Sequence, residues 1–520
     1  MNLETIDLVI IGLYAIAIIS LAQWVSRPKP GHERDTKDYF LAGKSLPWWA
    51  IGASLIAANI SAEQIIGMSG SGYAIGIAIA SYEWMSAITL IIVGKYFLPI
   101  FLKHGIYTMP QFLEQRYDHN VRMVMAIFWI GVYVLVNLTA ILWLGALAIN
   151  SITGLPLSYG LLILGALAIV YSTYGGLRAV ALTDIVQVVI LVLGGLIIAY
   201  VTLTAISPTG GVISGFIELT KQAPEKFDLI LSKDNPHYIS LPGISVLVGG
   251  LWIMNLSYWG FNQYTIQRVL AAKNLKEAQK GIVFAAYLKL FMPVIVVLPG
   301  IAAVVLAPEL VAPDQAYAEM MKLVPTGIRG LVFAALIAAI LSSLGSMMNS
   351  ISTIFTMDIY RSFRPGTSEK KLVTIGRTVA VLAIIIAMIV AKPLLGQFDQ
   401  AFQYIQEFTG FFTPGIVVIF MLGLFWKRAT AGGALAAAIG SAIFSFLFKI
   451  FYPLLPFIDR VGIVFLLCMA LAIIVSLLTS KGAHKNAIPL DEIDFKTSKG
   501  FLVATIGILV VLTGLYTAWW

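Results

Sequence analysis

The sequence predicts an all-α polytopic membrane protein, and its composition and hydropathy pattern support that fold class. Of the 520 residues, 59% are hydrophobic and only 12% are charged, whereas a soluble domain carries about 25% charged residues. Apolar runs of the ~20 residues needed to cross a bilayer recur along the whole chain. Residues 1–520 are therefore expected to form a single integral membrane domain.

Fourteen apolar stretches are long enough to be membrane spans. No separate soluble domain is expected between them, because the connecting loops are short and polar. The expected limits are 5–25, 46–70, 73–102, 121–150, 156–177, 181–206, 241–266, 281–307, 326–358, 372–396, 400–425, 430–452, 457–479 and 500–520.

Charge patterning predicts the orientation of these spans. Most of the 34 Lys and Arg residues fall in the alternate loops that become cytoplasmic when the amino terminus lies outside. Both termini are then expected on the outer side of a cell inner membrane. The net charge of +8 is accounted for by these loops and does not indicate a nucleic-acid partner.

Two of the predicted spans contain polar residues and glycines near their middle. The stretch AANISAEQIIGMSG occupies residues 57–70 of the second span, and GGLWIMNLSYWGFNQY occupies residues 249–264 of the seventh. Because the two lie five spans apart, an odd number, the second copy must enter the membrane in the opposite direction. This indicates a five-plus-five inverted repeat, with 46–206 as the first repeat and 241–425 as the second. Residues 1–45 add an N-terminal helix and loop, and residues 426–520 add C-terminal helices.

Interrupted helices in matching positions of two repeats are typical of the solute site of a secondary transporter. Non-helical backbone at membrane depth is tolerated only where it is buried in protein or lines a cavity. The alternative is that these polar residues only bond helices together, at ~0.6 kcal/mol per hydrogen bond.

Polar side chains in several spans are expected to converge at these breaks. An ionisable residue inside a span indicates function and needs a partner. Glu83 and Lys289 are the two charged candidates, and their charges cancel. The remaining groups mix donors and acceptors, and no arginine lies near the middle of a predicted span. The expected solute is therefore neutral and rich in hydroxyl groups. The candidate solute ligands are Gln64, Glu83, Ser86, Asn255, Lys289 and Gln406.

A separate cation site is expected where the second and ninth spans meet. Ala339, Ser342 and Ser343 share one helix face, and carbonyl groups near Ala57 and Ile60 are freed at the first break. Neutral oxygen ligands favour Na⁺ over Ca²⁺ or Zn²⁺, which prefer carboxylates, His or Cys. A small-residue packing face is the alternative.

Six long motifs resemble the sodium/solute symporters, and within them the bacterial sodium/galactose (sodium/glucose) cotransporters. The resemblance covers essentially the whole chain and implies a LeuT-type fold built from spans two to eleven. It also implies sodium-coupled symport of galactose or glucose into the cell by alternating access, with Na⁺ as coupling ion and no resident cofactor. The motifs are DYFLAGKSLPWWAIGASLIAANISAEQ, ASYEWMSA, YSTYGGLRAVALTDIVQ, YWGFNQYTIQR, FAALIAAILSSLGSMMNSISTIFTMDIY and FQYIQEFTGFFTPG.

The resemblance also implies residue roles. It assigns sugar contacts to the six candidate ligands and places Tyr258 as an inner gate. Glycine at position 345, where relatives with two sodium sites have serine, implies one sodium ion per sugar. Asp184 matches an aspartate near the sodium path, although it could instead cap a helix. The other implied positions are Met68, Tyr82 and Phe402 for the outer gate and Ala57, Ile60, Ala339, Ser342 and Ser343 for sodium.

Three alternatives stay open at this point. The solute could be another neutral polyol such as myo-inositol, or another organic solute. An intramembrane serine protease is disfavoured, because all five histidines lie in loops and the GMSG stretch at 67–70 lacks a base. A solute sensor without transport would leave the cation site unexplained.

Overall fold

The computed structural model describes residues 3–25, 44–60, 62–207, 209–396, 401–480 and 482–520, with side chains omitted at 19, 22, 23, 25, 171–182, 184, 401 and 404. Within these residues the chain is helical, and the one extended pairing is an isolated bridge between Leu46 and Ala272. The α-helices are Thr5–Val25, Trp48–Asn59, Met68–Ala74, Ser81–Ile92, Leu98–Lys103, Met109–Arg116, His119–Val132, Thr139–Thr153, Leu157–Ile206, Gly211–Gln222, Ser245–Val248, Gly250–Leu256, Gln263–Leu270, Leu275–Ile295, Val297–Leu306, Ala316–Met321, Ile328–Ile354, Arg361–Phe363, Glu369–Leu395, Ala401–Gly410, Thr413–Phe425, Ala431–Phe451, Phe457–Thr479 and Lys499–Ala518.

Short π-helical and 3₁₀-helical segments connect several of these helices. The π-helical segments are Glu63–Gly67, Val93–Phe97, Tyr133–Leu138, Ser257–Phe261 and Phe355–Tyr360, and the 3₁₀ segments are Ile77–Ala80, Pro224–Lys226, Pro313–Gln315 and Leu490–Glu492. Two of the π segments, Glu63–Gly67 and Ser257–Phe261, lie in the two spans that were expected to be interrupted. Such segments are frequent at functional sites.

The predicted count of fourteen spans is not confirmed in full. In the described part of the chain, nine helices are long and apolar enough to cross a membrane, or ten if one bent pair counts as a single span. Three shorter apolar helices, Thr5–Ile18, Leu157–Val170 and Thr413–Phe425, lie within other predicted spans. The difference arises because breaks, turns and undescribed residues shorten the uninterrupted runs.

The structure joins the predicted spans 156–177 and 181–206 into one helix, Leu157–Ile206. No proline lies within this run, so nothing in the sequence removes a backbone hydrogen bond between the two apolar stretches. At 1.5 Å per residue, its 50 residues span ~75 Å along the helix path, more than twice a hydrocarbon core of ~30 Å.

Both expected interruptions are confirmed. The first helix, Trp48–Asn59, ends where Ile60 leaves helical geometry with ψ near 73°. The chain resumes at Glu63–Ala74, bent by 59° from the first part. In the second, Asn262 is extended, with ψ 123°, and its side chain accepts the backbone N–H of Tyr264 at 3.0 Å. We refer to residues 48–74 and 245–270 as the first and second interrupted helices.

Close helix contacts hold the first interrupted helix in place. A Cβ atom at Gly52 would lie 2.7 Å from the carbonyl oxygen of Gly281, so these two backbones approach through glycine. On the other side, Ser343 donates to the carbonyl of Ala58 at 3.1 Å. The two contacts place this helix between Leu275–Ile295 and Ile328–Ile354, which carry the predicted solute lysine and cation serines.

Candidate solute and cation sites

A cavity lies at the two breaks, with an empty volume of ≈ 670 Å³ that includes space open to solvent. Five of the six predicted solute ligands line it, which are Gln64, Glu83, Ser86, Asn255 and Gln406. The structure therefore brings these five side chains together, and their role as solute ligands stays a prediction. The cavity is further lined by Ala58, Asn59, Glu63, Tyr82, Asn137, Ile141, Met254, Tyr258, Trp259, Asn262, Tyr264 and Met347.

The sixth predicted ligand, Lys289, lies behind the cavity wall. Its Nζ is 2.6 Å from Oε2 of Glu83 and also donates to Oδ1 of Asn59. The ammonium group lies 5.0 Å from the centre of the Trp259 ring, a distance at which cation–π attraction adds to the ion pair. Because Lys289 and Glu83 are both buried, their charges cancel locally, and Glu63 is a second carboxyl group in the cavity wall.

Asn59 connects this ion pair to the predicted inner gate. Its Oδ1 accepts from Lys289, and its Nδ2 donates to the hydroxyl of Tyr258 at 3.2 Å. Sequence reasoning did not include Asn59 among the ligands, although it stands at the end of the helix that breaks at Ile60. Its place beside the break was the signal that could have identified it.

Two ligands from different halves of the molecule are directly bonded. Ser86 donates to Oδ1 of Asn255 at 2.6 Å. The other amide atom, Nδ2 of Asn255, is buried without a hydrogen-bond partner, and so is Oε1 of Gln64. The hydroxyl of Tyr82, which also lines the cavity, is likewise buried without a partner. A buried polar atom left unpaired costs ~1–3 kcal/mol, so these three groups remain for a polar solute.

The predicted outer-gate residues form an apolar contact at the edge of the cavity. The rings of Tyr82 and Phe402 meet edge to face, with centroids 5.4 Å apart. A Cβ atom at Gly67 would lie 3.0 Å from Cβ of Phe402, so the first interrupted helix touches the same ring. Met68, one residue further, is fully buried.

The predicted cation residues come together where the two helices cross. Ala57, Ile60, Ala339, Ser342 and Ser343 are all buried. The Ser343 hydroxyl donates to the Ala58 carbonyl, next to Ala57. The side chain of Asp184, predicted on the sodium path, lies outside the described residues.

A buried guanidinium group near the cation residues was missed by sequence reasoning. Arg268 lies in the second interrupted helix just beyond the predicted span, and only 1% of its surface is exposed. It donates to Ser54 at 2.8 Å and to Ser346, one helical turn from Ser342. Arg268 falls outside the predicted span 241–266, but the helical segment Gln263–Leu270 that carries it is buried throughout.

Comparison with known proteins identifies the family. Residues 39–440 match the sequence profile of the "Sodium:solute symporter family". The chain belongs to this family of sodium-coupled symporters. It is 53% identical to the sodium/glucose cotransporter of Vibrio parahaemolyticus, over 100% of this chain and 99% of that protein. It is 35% identical to the human sodium/myo-inositol cotransporter 2, over 83% of this chain and 68% of that protein.

Solved structures confirm the LeuT-type fold of this symporter. A Na⁺-coupled sialic acid symporter in a substrate-bound outward-open state superposes with a TM-score of 0.81 at 24% identity, covering 93% of this chain and 99% of that chain. Mhp1, a nucleobase-cation-symport-1 transporter, gives a TM-score of 0.56 at 15% identity, covering 90% and 98%. The symporter is therefore a multi-pass membrane protein with Na⁺ as its coupling ion.

Proposed function

We propose that this symporter carries a neutral hexose, galactose or glucose, into the cell together with sodium by alternating access. The whole-length similarity to a sodium/glucose cotransporter supports this solute class. The observation that carries the proposal is the chemistry of the cavity at the two breaks. A wall in which the charge of Glu83 is balanced by Lys289, with both an unpaired donor, Asn255 Nδ2, and an unpaired acceptor, Gln64 Oε1, suits hydroxyl groups, which donate and accept.

Sugar binding would use all six predicted ligands, including Lys289. The Lys289 ammonium group donates to Glu83 and Asn59. An ammonium group has three N–H donors, so a sugar hydroxyl could be added or could replace Asn59. Replacement would free Asn59 and so weaken its bond to Tyr258, which links solute binding to the inner gate.

Sodium would bind between the Ser342 and Ser343 hydroxyls and the carbonyls of Ala57, Ile60 and Ala339. These groups belong to the two helices that meet at the first break, so sodium would fix the conformation of that break and the position of Gln64. Sodium would then raise sugar affinity, and sugar would raise sodium affinity by the same factor. With no compensating charge, inward movement gains ~2.3 kcal/mol per 100 mV.

Alternating access would use the two gates in turn. Met68, Tyr82 and Phe402 would close the outer path, and Tyr258 would then move aside to release solute inward. Asp184 would lie on the path by which sodium leaves. Glycine at position 345 would leave a single sodium site, giving one sodium ion per sugar.

We place the protein in a cell inner membrane with both termini outside and one membrane domain over 1–520. The segment 1–45 precedes two inverted repeats, 46–206 and 241–425, and 426–520 follows them. The protein would have no resident cofactor and no enzymatic activity. Reagents that label only exposed lysines from the outer side test the orientation. Modification of Lys221 but not of Lys370 is expected, and the reverse pattern would contradict it.

A second candidate solute is myo-inositol, because several relatives of about one-third identity are named as its cotransporters. Competition with radiolabelled galactose for binding to the purified protein in NaCl distinguishes the two. We expect glucose to displace galactose at concentrations at least tenfold below those needed for myo-inositol. Displacement of galactose by myo-inositol at lower concentrations than by glucose would instead identify myo-inositol as the preferred solute.

A further inference from the structure

A groove distant from the solute cavity opens on the surface of the helix bundle. It lies between the first turns of helices Leu275–Ile295 and Lys499–Ala518, beside Trp48, and has an empty volume of ≈ 970 Å³. None of the solute or cation residues lines it. Its walls include Trp48, Lys276, Lys280, Val283, Phe284 and Tyr287.

The groove has a charged end and an apolar end. Lys276 and Lys280 lie one turn apart on one helix face, and Val283, Phe284 and Tyr287 continue that face. From Lys276 to Tyr287 the helix rises ~16 Å at 1.5 Å per residue, about half of a hydrocarbon core of ~30 Å. The order and length match one phospholipid in one leaflet, with its headgroup at the lysines.

The charge at this end is positive and available. Lys276 and Lys280 are both exposed. Glu277 lies 3.9 Å from Lys280 and accepts the backbone N–H of Trp48 at 2.9 Å. An exposed ion pair of this length contributes little, so a phosphate group would still meet two cationic side chains.

Aromatic side chains form the walls of the groove. Trp48 is 38% exposed and meets Phe284 edge to face at 5.7 Å. The Tyr287 hydroxyl donates to the carbonyl of Ala504 at 2.9 Å, which fixes the distance between the two helices. Trp is enriched at the membrane–water boundary, so the position of Trp48 beside Glu277 agrees with a headgroup at the lysine end.

We propose that this groove binds an anionic phospholipid. The phosphate lies between Lys276 and Lys280, and an acyl chain follows Val283, Phe284 and Tyr287. Basic pockets between membrane helices recognise acidic headgroups in this way. A zwitterionic lipid has the same kind of acyl chain, but its headgroup also carries a positive charge, which would lie near Lys276 and Lys280.

Native mass spectrometry of the purified protein, titrated with phosphatidylglycerol or phosphatidylcholine, tests this site. We expect saturable binding of one phosphatidylglycerol with at least tenfold preference over phosphatidylcholine. The double variant Lys276→Gln/Lys280→Gln should weaken that binding about 30-fold, from ~1 kcal/mol per lysine. The control Lys370→Gln/Lys371→Gln removes two exposed lysines from the first turn of helix Glu369–Leu395 and should leave binding unchanged.

Two further measurements separate a lipid site from a simple anion site. Val283→Trp fills the apolar end and should reduce phosphatidylglycerol binding while leaving both lysines in place. Millimolar inorganic phosphate should not displace the lipid. Equal binding of both lipids, equal loss in the two lysine pairs, or displacement by inorganic phosphate would each overturn the proposal. Retained galactose uptake by the variants confirms that they are folded.

Discussion

Lys289 and Glu83 form an ion pair that is closed to solvent, with Nζ 2.6 Å from Oε2 and exposed side-chain fractions of 0% and 2%. The pair joins helix Leu275–Ile295 to helix Ser81–Ile92, one from each half of the molecule. Asn59 completes it from the first interrupted helix. Because a buried charge is tolerated only with a partner, the position of each of these three elements depends on the other two.

Removing one charge of this pair should both destabilise the protein and abolish transport. Glu83→Gln leaves the Lys289 ammonium buried without its counter-charge, which costs ~3–5 kcal/mol. We expect a clearly lower thermal unfolding midpoint in detergent and no galactose uptake in proteoliposomes. Glu83→Gln/Lys289→Met should recover most of the stability but not the uptake.

The matched control for that prediction is an exposed ion pair. Glu319→Gln breaks the contact with Lys322 on the protein surface, where such pairs are worth ~0–1 kcal/mol. Its midpoint should stay close to that of the unmodified protein. A Glu83→Gln midpoint as high as that of Glu319→Gln would show that the buried pair is not needed for stability.

Loss of the Tyr258 hydroxyl should loosen the inner gate. Tyr258→Phe removes the hydrogen bond from Asn59, worth ~1 kcal/mol, which corresponds to about a fivefold shift in an opening equilibrium. Efflux of preloaded galactose without sodium should rise by that factor, while the ring still covers the cavity. Tyr159→Phe, at a tyrosine with 58% exposure, should leave efflux unchanged, and equal efflux from both variants would contradict the gate.

Ser343→Ala should weaken sodium activation specifically. A hydrogen bond to a charged group contributes ~1.5–3 kcal/mol, and we take the same scale for one hydroxyl oxygen that coordinates sodium. The sodium concentration for half-maximal uptake should therefore rise by at least about tenfold. Ser352 on the same helix is equally buried and its hydroxyl has no partner. Ser352→Ala is therefore the control, and parallel shifts in the two variants would argue against a sodium ligand at position 343.

A side chain at Gly70 should disturb the packing of the first interrupted helix against the 3₁₀ segment Pro313–Gln315. A Cβ atom there would lie 2.8 Å from the Cα atom of Asp314, too close for backbone atoms. The 3₁₀ segment Pro313–Gln315 must then move, at a cost of ~1–3 kcal/mol. We expect Gly70→Ala to lower uptake at least fivefold. Gly131→Ala, where a Cβ atom meets nothing within 4 Å, should be active, and normal uptake by Gly70→Ala would contradict this role.

Hydropathy was sufficient to predict the helical class and the two interrupted helices, because polar residues and glycines are costly inside a membrane helix unless the backbone there lines a cavity or is buried in protein. Span limits were less predictable. The single helix Leu157–Ile206 covers two predicted spans because no proline separates them, and periodicity alone cannot place a boundary there.

The solute cavity was predicted better than the contacts behind it. Polarity was enough to select five side chains that line one cavity, but the bond from Lys289 to Asn59 depends on how two distant helices cross. Arg268 was assigned to a loop because charge normally marks a span end, whereas its hydrogen bonds to Ser54 and Ser346 allow it to be buried. Such tertiary pairing leaves no local sequence signal.

Uptake of radiolabelled galactose into proteoliposomes is the most direct measurement of the proposed activity. An inward sodium gradient should drive accumulation, and an equal potassium gradient should not. Glucose should compete, and Gln64→Ala should abolish accumulation while sodium binding persists. Accumulation that is equal with the two cations, or that is unaffected by Gln64→Ala, would contradict sodium-coupled sugar transport through this cavity.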